Sequence, residues 1–371
     1  MIVGTVREIK NHEYRVGLTP ESVHELSTHG HDVLVETGAG EGMGADDAAY
    51  RQAGAEIAAT AAEVFARADM IVKVKEPQPE ERAMLRAGQI LYTYLHLAPD
   101  PEQTRDLMAS GAVCIAYETV TDANGGLPLL KPMSQVAGRM SVQAGATALE
   151  KAHGGRGVLL GGVPGVLPAK VVVIGGGVVG FNAAQMAAGL GADVTILDRS
   201  PEVLERLGIY FEARAKTRFS NRANLADEIA HADLVIGAVL IPGAAAPKLV
   251  SAQMLKTMKK GSVLVDVAID QGGCFETSHA TTHDAPTYIV EGVVHYCVAN
   301  MPGAVARTST YALNNVTLPH ALRIADMGWK DALRSDPHLL AGLNVCGGKV
   351  TYEAVARELG LDYVPAAEAI G

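Results

Sequence analysis

The sequence has few aromatic residues, an excess of acidic side chains and only four cysteines. Aromatic residues make up 5% of the 371 residues, and the formal net charge is −10. Because nucleic-acid binding requires a basic surface, we expect no nucleic-acid partner. Cys114, Cys274, Cys297 and Cys346 are far apart in the chain and form no CxxC pair. This spacing argues against a disulfide framework or a cysteine-based metal site.

Long apolar runs are also missing. The longest, 157–169 and 234–246, are interrupted by Gly and Pro and are shorter than the roughly 20 residues that a membrane-spanning helix needs. The first ten residues, MIVGTVREIK, contain no apolar signal core followed by a small-residue cleavage site. We therefore predict a cytoplasmic protein that has no membrane partner.

The sequence does contain a regular alternation of β-rich and helical runs. One set of strands is predicted at 2–6, 32–36, 70–74, 89–95 and 113–118. A second set is predicted at 171–174, 193–197, 234–239, 262–269 and 294–298, with a strand-like run at 345–350. This βαβα order predicts parallel sheets with helices on both faces. The fold class is therefore predicted as α/β, with two doubly wound parallel-sheet domains.

Two long helical runs separate these sets of strands. Residues 134–153 follow Pro132 and are rich in small side chains, which indicates close packing against another helix. Residues 304–325 form the second run. We interpret both runs as bridges that join the two domains. The residues alone leave open which domain the last forty residues complete.

The stretch 170–180, KVVVIGGGVVG, has the form of a dinucleotide-binding turn. Its GxGxxG glycines are Gly175, Gly177 and Gly180, between a β-branched strand and a helix-like run. They allow a tight turn, close approach of a pyrophosphate, and packing of helix on strand. Asp198, after the next strand, can accept hydrogen bonds from ribose hydroxyls and would repel a 2′-phosphate. The motif predicts a Rossmann domain that binds NAD; a purely structural glycine turn is the alternative.

Four polar side chains are predicted at strand ends, where open α/β sheets bind ligands. Arg15 follows the first strand, and Lys75, His96 and Asp270 end the runs 70–76, 89–96 and 262–270. Arg and Lys can bind a carboxylate or polarise a carbonyl. His can transfer protons near neutral pH, and Asp can hold a protonated imine or a carbinolamine. Each alone is also a common structural or surface residue, but together they indicate a site for a small keto or amino acid.

The stretches that carry these residues resemble the bacterial alanine dehydrogenase family. The matching stretches run along nearly the whole chain, at 8–20 (EIKNHEYRVGLTP), 72–77 (VKVKEP), 94–98 (YLHLA), 132–139 (PMSQVAGR), 155–168 (GRGVLLGGVPGVLP), 236–247 (IGAVLIPGAAAP), 269–275 (IDQGGCF) and 298–302 (VANMP). The resemblance implies NAD-dependent, reversible oxidative deamination of L-alanine to pyruvate and ammonia. It also implies a homohexamer. The sequence leaves the substrate range open, and amination of glyoxylate to glycine is a further expectation.

The resemblance also implies roles for individual residues. Arg15 and Lys75 would hold the substrate, His96 would be the acid–base residue, and Asp270 would be the second catalytic residue. Residues 1–131 and 305–371 would form the substrate domain and 132–304 the NAD-binding domain, with the active site in the cleft between them. Besides the motif glycines, the NAD site would include Ser134, Val178, Val179, Asp198, Ser220, Val239, Leu240, Val267, Ile269, Asp270, Val298, Asn300 and Met301.

Three positions depart from the family pattern. Val203 stands where members often have a basic residue, and His279 replaces an arginine of some members. Both positions concern the adenosine side of the cofactor and therefore its affinity. Met327 stands where some members have a histidine that would join Glu118 in binding a metal, and we predict no metal in this chain.

Four other functions are alternatives on the sequence. The NAD-binding part of a proton-pumping transhydrogenase would work with membrane-spanning partners, whereas this chain has no membrane segment and keeps Lys75, His96 and Asp270. A lysine- or saccharopine-type dehydrogenase would need acidic groups for a distant ammonium. A 2-hydroxy-acid dehydrogenase would place its histidine in the cofactor domain, but His295 lies inside a predicted strand, which favours a core role. A non-catalytic NAD sensor would bind NADH without turnover.

Overall fold

The computed structural model describes residues 1–239 and 246–371, which form two compact units. The first unit comprises Met1–Met133 and Gly303–Gly371, and the second comprises Ser134–Pro302. The chain passes from the first unit to the second within the helix Lys131–Ala148. None of the helices in the described residues is long and apolar enough to cross a membrane.

The strands are numbered in chain order. They are β1 (Ile2–Thr5), β2 (Asp32–Glu36), β3 (Glu56–Ala58), β4 (Met70–Val72), β5 (Ile90–Thr93), β6 (Val113–Ala116), β7 (Lys170–Ile174), β8 (Asp193–Asp198), β9 (Lys216–Phe219), β10 (Leu234–Gly237), β11 (Val263–Asp266), β12 (Thr287–Val290), β13 (Val293–Tyr296), β14 (Leu343–Cys346) and β15 (Lys349–Val350).

The helices are numbered in the same way. They are α1 (Pro20–Thr28), α2 (Asp47–Ala53), α3 (Ala61–Arg67), α4 (Pro79–Arg82), α5 (Pro101–Ser110), α6 (Lys131–Ala148), α7 (Val178–Gly189), α8 (Pro201–Phe211), α9 (Arg222–His231), α10 (Ala252–Leu255), α11 (Ala306–Met327), α12 (Trp329–Ser335), α13 (Pro337–Leu340), α14 (Glu353–Leu359) and α15 (Ala366–Ala369). Short 3₁₀ turns follow several strands, including Tyr117–Thr119 after β6 and Val267–Gln271 after β11.

The sheet of the first unit has the strand order β15-β14-β6-β5-β4-β1-β2-β3. Its strands from β6 to β3 are parallel, as predicted, but β14 runs antiparallel to both β6 and β15. The run 345–350 was predicted as one strand and is instead part of a hairpin. Gly347 and Gly348 have φ of +53° and +82°, a left-handed backbone that favours glycine and reverses the chain.

The sheet of the second unit has the order β12-β13-β11-β10-β7-β8-β9. Six of these strands are parallel, and we number them 1 to 6 along the chain: β7, β8, β9, β10, β11 and β13. Their order across the sheet is then 3-2-1-4-5-6, which is that of a Rossmann fold. The edge strand β12 pairs antiparallel with β13. The predicted α/β class with a Rossmann second domain is therefore confirmed, with antiparallel strands at one edge of each sheet.

Three strands were not predicted: β3, β9 and β12. All three lie at sheet edges, and each has exposed or half-exposed residues over most of its length. The predicted inner strands are instead buried on both faces, for example β6 and β11. Burial of one large apolar side chain contributes about 1.5–3 kcal/mol, so inner strands have a near-continuous apolar sequence and edge strands do not.

The first long helix, α6, begins three residues before the predicted start and ends at Ala148, since Lys151–His153 is a 3₁₀ turn. Its small residues permit close packing in the second unit, as predicted. A Cβ atom at Gly138 would lie 2.3 Å from the carbonyl oxygen of Val179, and one at Gly145 would lie 2.6 Å from Leu234 Cδ1. The second long helix, α11, begins two residues later than predicted, after the 3₁₀ turn Met301–Val305.

Candidate active site

The glycine turn lies between β7 and α7 in the second unit. Gly175 has a φ of +102°, and a Cβ at Gly180 would lie only 1.8 Å from the carbonyl oxygen of Gly175. Gly177 precedes the first residue of α7, and no side chain in the described part of the protein caps the helix there. Among residues 1–239 and 246–371, no atom lies within 4 Å of where a Cβ at Gly177 would be. The start of α7 therefore has space beside Gly177, which suits a pyrophosphate at the positive end of the helix.

Asp198 is the last residue of β8 and lies beside the glycine turn. Its Oδ2 accepts a hydrogen bond from the Gly176 amide at 2.6 Å, and its Oδ1 accepts one from the Ser200 amide at 2.8 Å. Val203 packs below the same turn, within 2.7 Å of where a Cβ at Gly176 would be. The carboxylate is thus fixed, and each oxygen keeps lone-pair capacity for a ribose hydroxyl.

The other residues predicted for the NAD site belong to the second unit, mostly just beyond strands whose carboxyl ends share one edge of the sheet. Val178 and Val179 begin α7, Ser220 follows β9, and Val239 follows β10. Val267, Ile269 and Asp270 lie in the 3₁₀ turn after β11, and Val298, Asn300 and Met301 follow β13. Ser134 lies in α6, at the start of the second unit. Leu240 lies outside the described residues.

Asp270 is exposed and does not end a strand, contrary to the prediction. Strand β11 ends at Asp266, and Asp270 lies in the 3₁₀ turn that follows. Asp266 is fully buried and accepts hydrogen bonds from the Cys274 amide (2.8 Å) and the Ser278 hydroxyl (2.6 Å). Burial raises the pKa of Asp266, although these hydrogen bonds oppose the shift. Asp266 thus fixes the loop after Asp270, a role that was not predicted from the sequence.

Arg15 lies in the first unit and is 2% exposed. Its Nε donates to Glu13 Oε1 at 2.7 Å, its Nη2 donates to Glu13 Oε2 at 2.5 Å, and its Nη1 donates to Met133 Sδ at 3.0 Å. Burial alone would lower the pKa of Arg15, but the charge of Glu13 raises it. The guanidinium is therefore held cationic in a fixed plane by Glu13, a partner that was not predicted from the sequence.

Lys75 follows β4, which ends at Val72 and is shorter than predicted. Backbone hydrogen bonds to the β5 segment continue beyond Val72, because the Lys73 amide donates to the Tyr92 carbonyl at 3.1 Å and the Tyr94 amide donates to the Val74 carbonyl at 3.3 Å. The Thr93 hydroxyl also donates to the Lys75 carbonyl at 3.0 Å. The Lys75 side chain is 12% exposed, and its Nζ lies 3.9 Å from Glu76 Oε2. Burial raises the pKa of Glu76, but the charges of Lys75, Lys10 and His96 together hold it below its ordinary value.

A buried ionic cluster, formed by Glu8, Lys73 and Glu81, lies next to Lys75. Lys73 is fully buried, and its Nζ donates to Glu8 Oε2 at 3.0 Å and to Glu81 Oε1 at 2.6 Å. The second oxygen of Glu8 accepts hydrogen bonds from the amides of Val74 (2.7 Å) and Lys75 (3.3 Å). The cluster was not predicted, although a lysine inside the apolar run MIVKV signals a buried charge that needs partners.

His96 is exposed and lies three residues beyond β5, so it does not end that strand. Its φ of +51° is a left-handed conformation that is rare for a residue other than glycine. The His96 amide donates to Glu118 Oε1 at 2.7 Å, and the imidazole lies parallel to the Tyr94 ring at 5.8 Å. Tyr94 in turn donates to the Leu129 carbonyl at 2.6 Å.

The structure brings Arg15, Lys75 and His96 into one part of the first unit. Lys75 and His96 both act on the carboxylate of Glu76. Burial raises the pKa of Tyr94, and the charges of Arg15 and Glu118 both reach its hydroxyl. Because the Tyr94 ring is stacked on His96, it links the arginine to the histidine. Asp270 belongs to the second unit.

Two further predictions concern the role of His295 and the absence of a metal site at Met327. His295 is fully buried, with Nε2 2.8 Å from the Thr277 hydroxyl and Nδ1 3.0 Å from the Val293 carbonyl, and burial lowers its pKa. The core role predicted for it is confirmed. Met327 is 47% exposed at the end of α11. Residues 1–239 and 246–371 contain no group of three or more His, Cys, Asp or Glu side chains that would hold a metal ion.

Family models match both parts of the chain. Residues 4–137 match the alanine dehydrogenase/PNT N-terminal domain, and residues 141–353 match the alanine dehydrogenase/PNT C-terminal domain.

Individual proteins are similar over their full length. The alanine dehydrogenase of Halomonas elongata is 62% identical over 371 residues, covering 100% of both chains. That of Bacillus subtilis is 59% identical over 371 residues, covering 100% of this chain and 98% of the relative. A solved L-alanine dehydrogenase superposes with a TM-score of 0.94 at 53% identity, covering 97% of this chain and 99% of that one. A transhydrogenase from Sinorhizobium meliloti gives 0.82 at 30% identity, covering 95% and 100%.

Proposed function

Because the chain belongs to the alanine dehydrogenase/PNT family, we propose that it catalyses the reversible oxidative deamination of L-alanine to pyruvate and ammonia. The chain is an NAD-dependent amino-acid oxidoreductase. The observation that carries the proposal is the grouping of Arg15, Lys75 and His96 in one unit, together with a Rossmann glycine turn and Asp198 in the other. This set provides cations for a carboxylate, a proton carrier and a dinucleotide site.

Each residue has a chemical task in the proposed reaction. Arg15, oriented by Glu13, and Lys75 hold the substrate carboxylate and, in the carbinolamine and pyruvate, the oxygen at Cα. The glycine turn and Asp198 would hold NAD, which would supply the hydride acceptor for the hydrogen at Cα. His96 accepts the proton that leaves the substrate ammonium group and releases it to solvent. It then accepts a proton from the water that adds to the imine and donates that proton to the nitrogen as ammonia departs. Asp270 stabilises the positively charged imine and the carbinolamine through its carboxylate.

The reaction is tested by following NADH absorbance in the reductive direction, with pyruvate and ammonium each omitted in turn. Loss of absorbance that requires both compounds is the expected result, because the amine nitrogen comes from ammonium. Consumption of NADH with pyruvate alone would instead mean reduction to a 2-hydroxy acid. If NADH bound but was not consumed under any of these conditions, the chain would be a carrier or a sensor rather than an enzyme.

We also propose that glyoxylate is aminated to glycine at the same site. Glyoxylate presents the same carboxylate and carbonyl as pyruvate and lacks only the methyl group, so Arg15 and Lys75 would bind it in the same way.

The preference for NAD over NADP is proposed to depend on Asp198. Asp198→Ala is expected to weaken NADH binding about tenfold, since one charge-assisted hydrogen bond to ribose contributes roughly 1.5 kcal/mol. It should also let NADPH compete, because the repulsion of a 2′-phosphate is removed. Titration of both cofactors measures the change. Asp193→Ala, which removes a half-exposed carboxylate paired with Lys216 at the start of β8, is the matched control. An unchanged ratio of NADH to NADPH affinity in Asp198→Ala would contradict this role.

The assembly proposed for the chain is a homohexamer in the cytoplasm. An apolar surface on the second unit supports self-association. This surface is formed by residues 157–168, none of which is charged. The segment turns back on itself, since the amide of Val166 donates to the carbonyl of Val163 at 2.7 Å. Leu159, Val163, Val166 and Leu167 of this segment are 66%, 55%, 63% and 87% exposed, and a cluster of exposed apolar side chains is typical of a protein–protein contact.

A further inference from the structure

The backbone around His96 is held by side chains from two other elements. Glu118 lies in the 3₁₀ turn after β6, and its Oε1 accepts hydrogen bonds from the amides of Leu95 (3.2 Å) and His96 (2.7 Å). Its Oε2 also lies 3.2 Å from the Leu95 amide. On the opposite side, Gln103 of α5 donates from Nε2 to the Leu95 carbonyl at 2.6 Å. The peptide groups that lead into His96 are therefore fixed in both directions.

His96 needs such support because its backbone conformation is unfavourable. A residue with a side chain at φ of +51° occupies a sparsely populated region and adopts it only where its surroundings impose it. Glu118 is 15% exposed, so its hydrogen bonds to the two amides lie in a poorly solvated environment. The side chain of Leu95 is fully buried, and the exposed imidazole of His96 follows it directly.

Glu118 also lies near the imidazole, but at a longer distance. Its Oε1 is 4.0 Å from Nδ1 of His96, beyond hydrogen-bonding distance, whereas the same oxygen is 2.7 Å from the His96 amide. The stronger contact is therefore with the backbone. The direction of the ring is fixed separately by its parallel stacking on Tyr94.

We propose that Glu118 is a positioning residue, which holds His96 in its left-handed conformation through the amides of Leu95 and His96. This inference rests on the proposed role of His96 in proton transfer. Glu118 itself does not touch the substrate in this proposal; it fixes the place from which the imidazole reaches it.

The first test compares two substitutions at this position. Glu118→Ala is expected to lower kcat about 10- to 100-fold, as a displacement of about 1 Å in a catalytic group does, while KM for pyruvate changes little. Glu118→Gln is expected to stay within about threefold of the unmodified protein, because one amide oxygen can still accept from both backbone amides. An equal loss in both variants would mean that the charge of Glu118 matters rather than its backbone contacts, and would overturn the proposal.

The second test uses the His96→Ala background. If Glu118 acts through His96, then Glu118→Ala should cause no further loss of the residual rate in that background. A proportional loss of the same size would show a general structural role and overturn the proposal. Glu102→Ala, which removes a 72% exposed carboxylate from α5, is the control for charge removal and should leave activity unchanged.

A third measurement is independent of activity. Hydrogen exchange of the segment around Leu95 and His96, followed by mass spectrometry, should become faster in Glu118→Ala and stay slow in Glu118→Gln. Unchanged exchange in Glu118→Ala would overturn the positioning role, whatever the activity of that variant. If the unmodified chain does not convert pyruvate and ammonium, the proposed function fails, whereas the exchange result still reports on the contact itself.

Discussion

His96→Ala is expected to lower turnover at least about 100-fold without weakening NADH binding. General acid–base catalysis by a positioned side chain contributes about 10²–10⁴ in rate, and no other imidazole is placed beside Tyr94 and Glu118 in the described residues. NADH binding should persist, because the glycine turn and Asp198 belong to the second unit and His96 belongs to the first. Steady-state kinetics give the turnover number, and a fluorescence titration gives the affinity for NADH.

The control for this substitution is His24→Ala, which removes an exposed imidazole from α1 in the same unit. The turnover numbers of His96→Ala and His24→Ala should be compared with that of the unmodified protein at several pH values. Turnover in His96→Ala close to that of the unmodified protein would assign the proton transfer to another group.

The second large effect concerns stability. Lys73→Met is expected to lower the free energy of unfolding of the first unit by about 3–5 kcal/mol near neutral pH, because Glu8 and Glu81 would lose their buried cation. Urea unfolding curves measure this as a shift of the midpoint. The triple variant that also carries Glu8→Gln and Glu81→Gln should recover part of the loss, since it contains no unpaired buried charge.

The effect of Lys73→Met should also depend on pH. Burial raises the pKa of Glu8 even in the unmodified protein, where Lys73 opposes the shift, so loss of Lys73 raises that pKa further. A carboxyl whose pKa is higher in the folded state favours folding at low pH and loses this contribution as pH rises through the folded pKa. The destabilisation should therefore be smaller at acidic pH than at neutral pH. A defect that grew as pH fell would contradict the ionic role of Lys73.

The inner strands and the dinucleotide turn could be predicted from the sequence because their signals are local. A strand buried on both faces, such as β10 or β11, has an uninterrupted apolar sequence. The GxGxxG spacing likewise lies within six residues, and its structural requirement is visible in the Cβ position at Gly180. Edge strands such as β9 give no comparable signal, because a partly exposed strand does not need apolar side chains.

The side chains that support the site could not be predicted from local patterns. Lys73 and Glu8 are 65 residues apart, and Glu118 and His96 are 22 apart, so these contacts depend on which strands become neighbours in the sheet. The left-handed conformation of His96 is similarly imposed by tertiary contacts. Sequence comparison identified the residues proposed to meet the substrate, whereas the residues that hold them became visible only in the fold.

The pairing of β14 with β6 has a consequence for synthesis on the ribosome. Val345 lies opposite Cys114 in this pair, so the sheet of the first unit is completed only when the last part of the chain has emerged. The second unit, Ser134–Pro302, is contiguous in sequence and is available in full earlier. We therefore expect the second unit to fold first. Until β14 is synthesised, the edge of β6 is unpaired, and such an edge can pair with another chain and lead to aggregation.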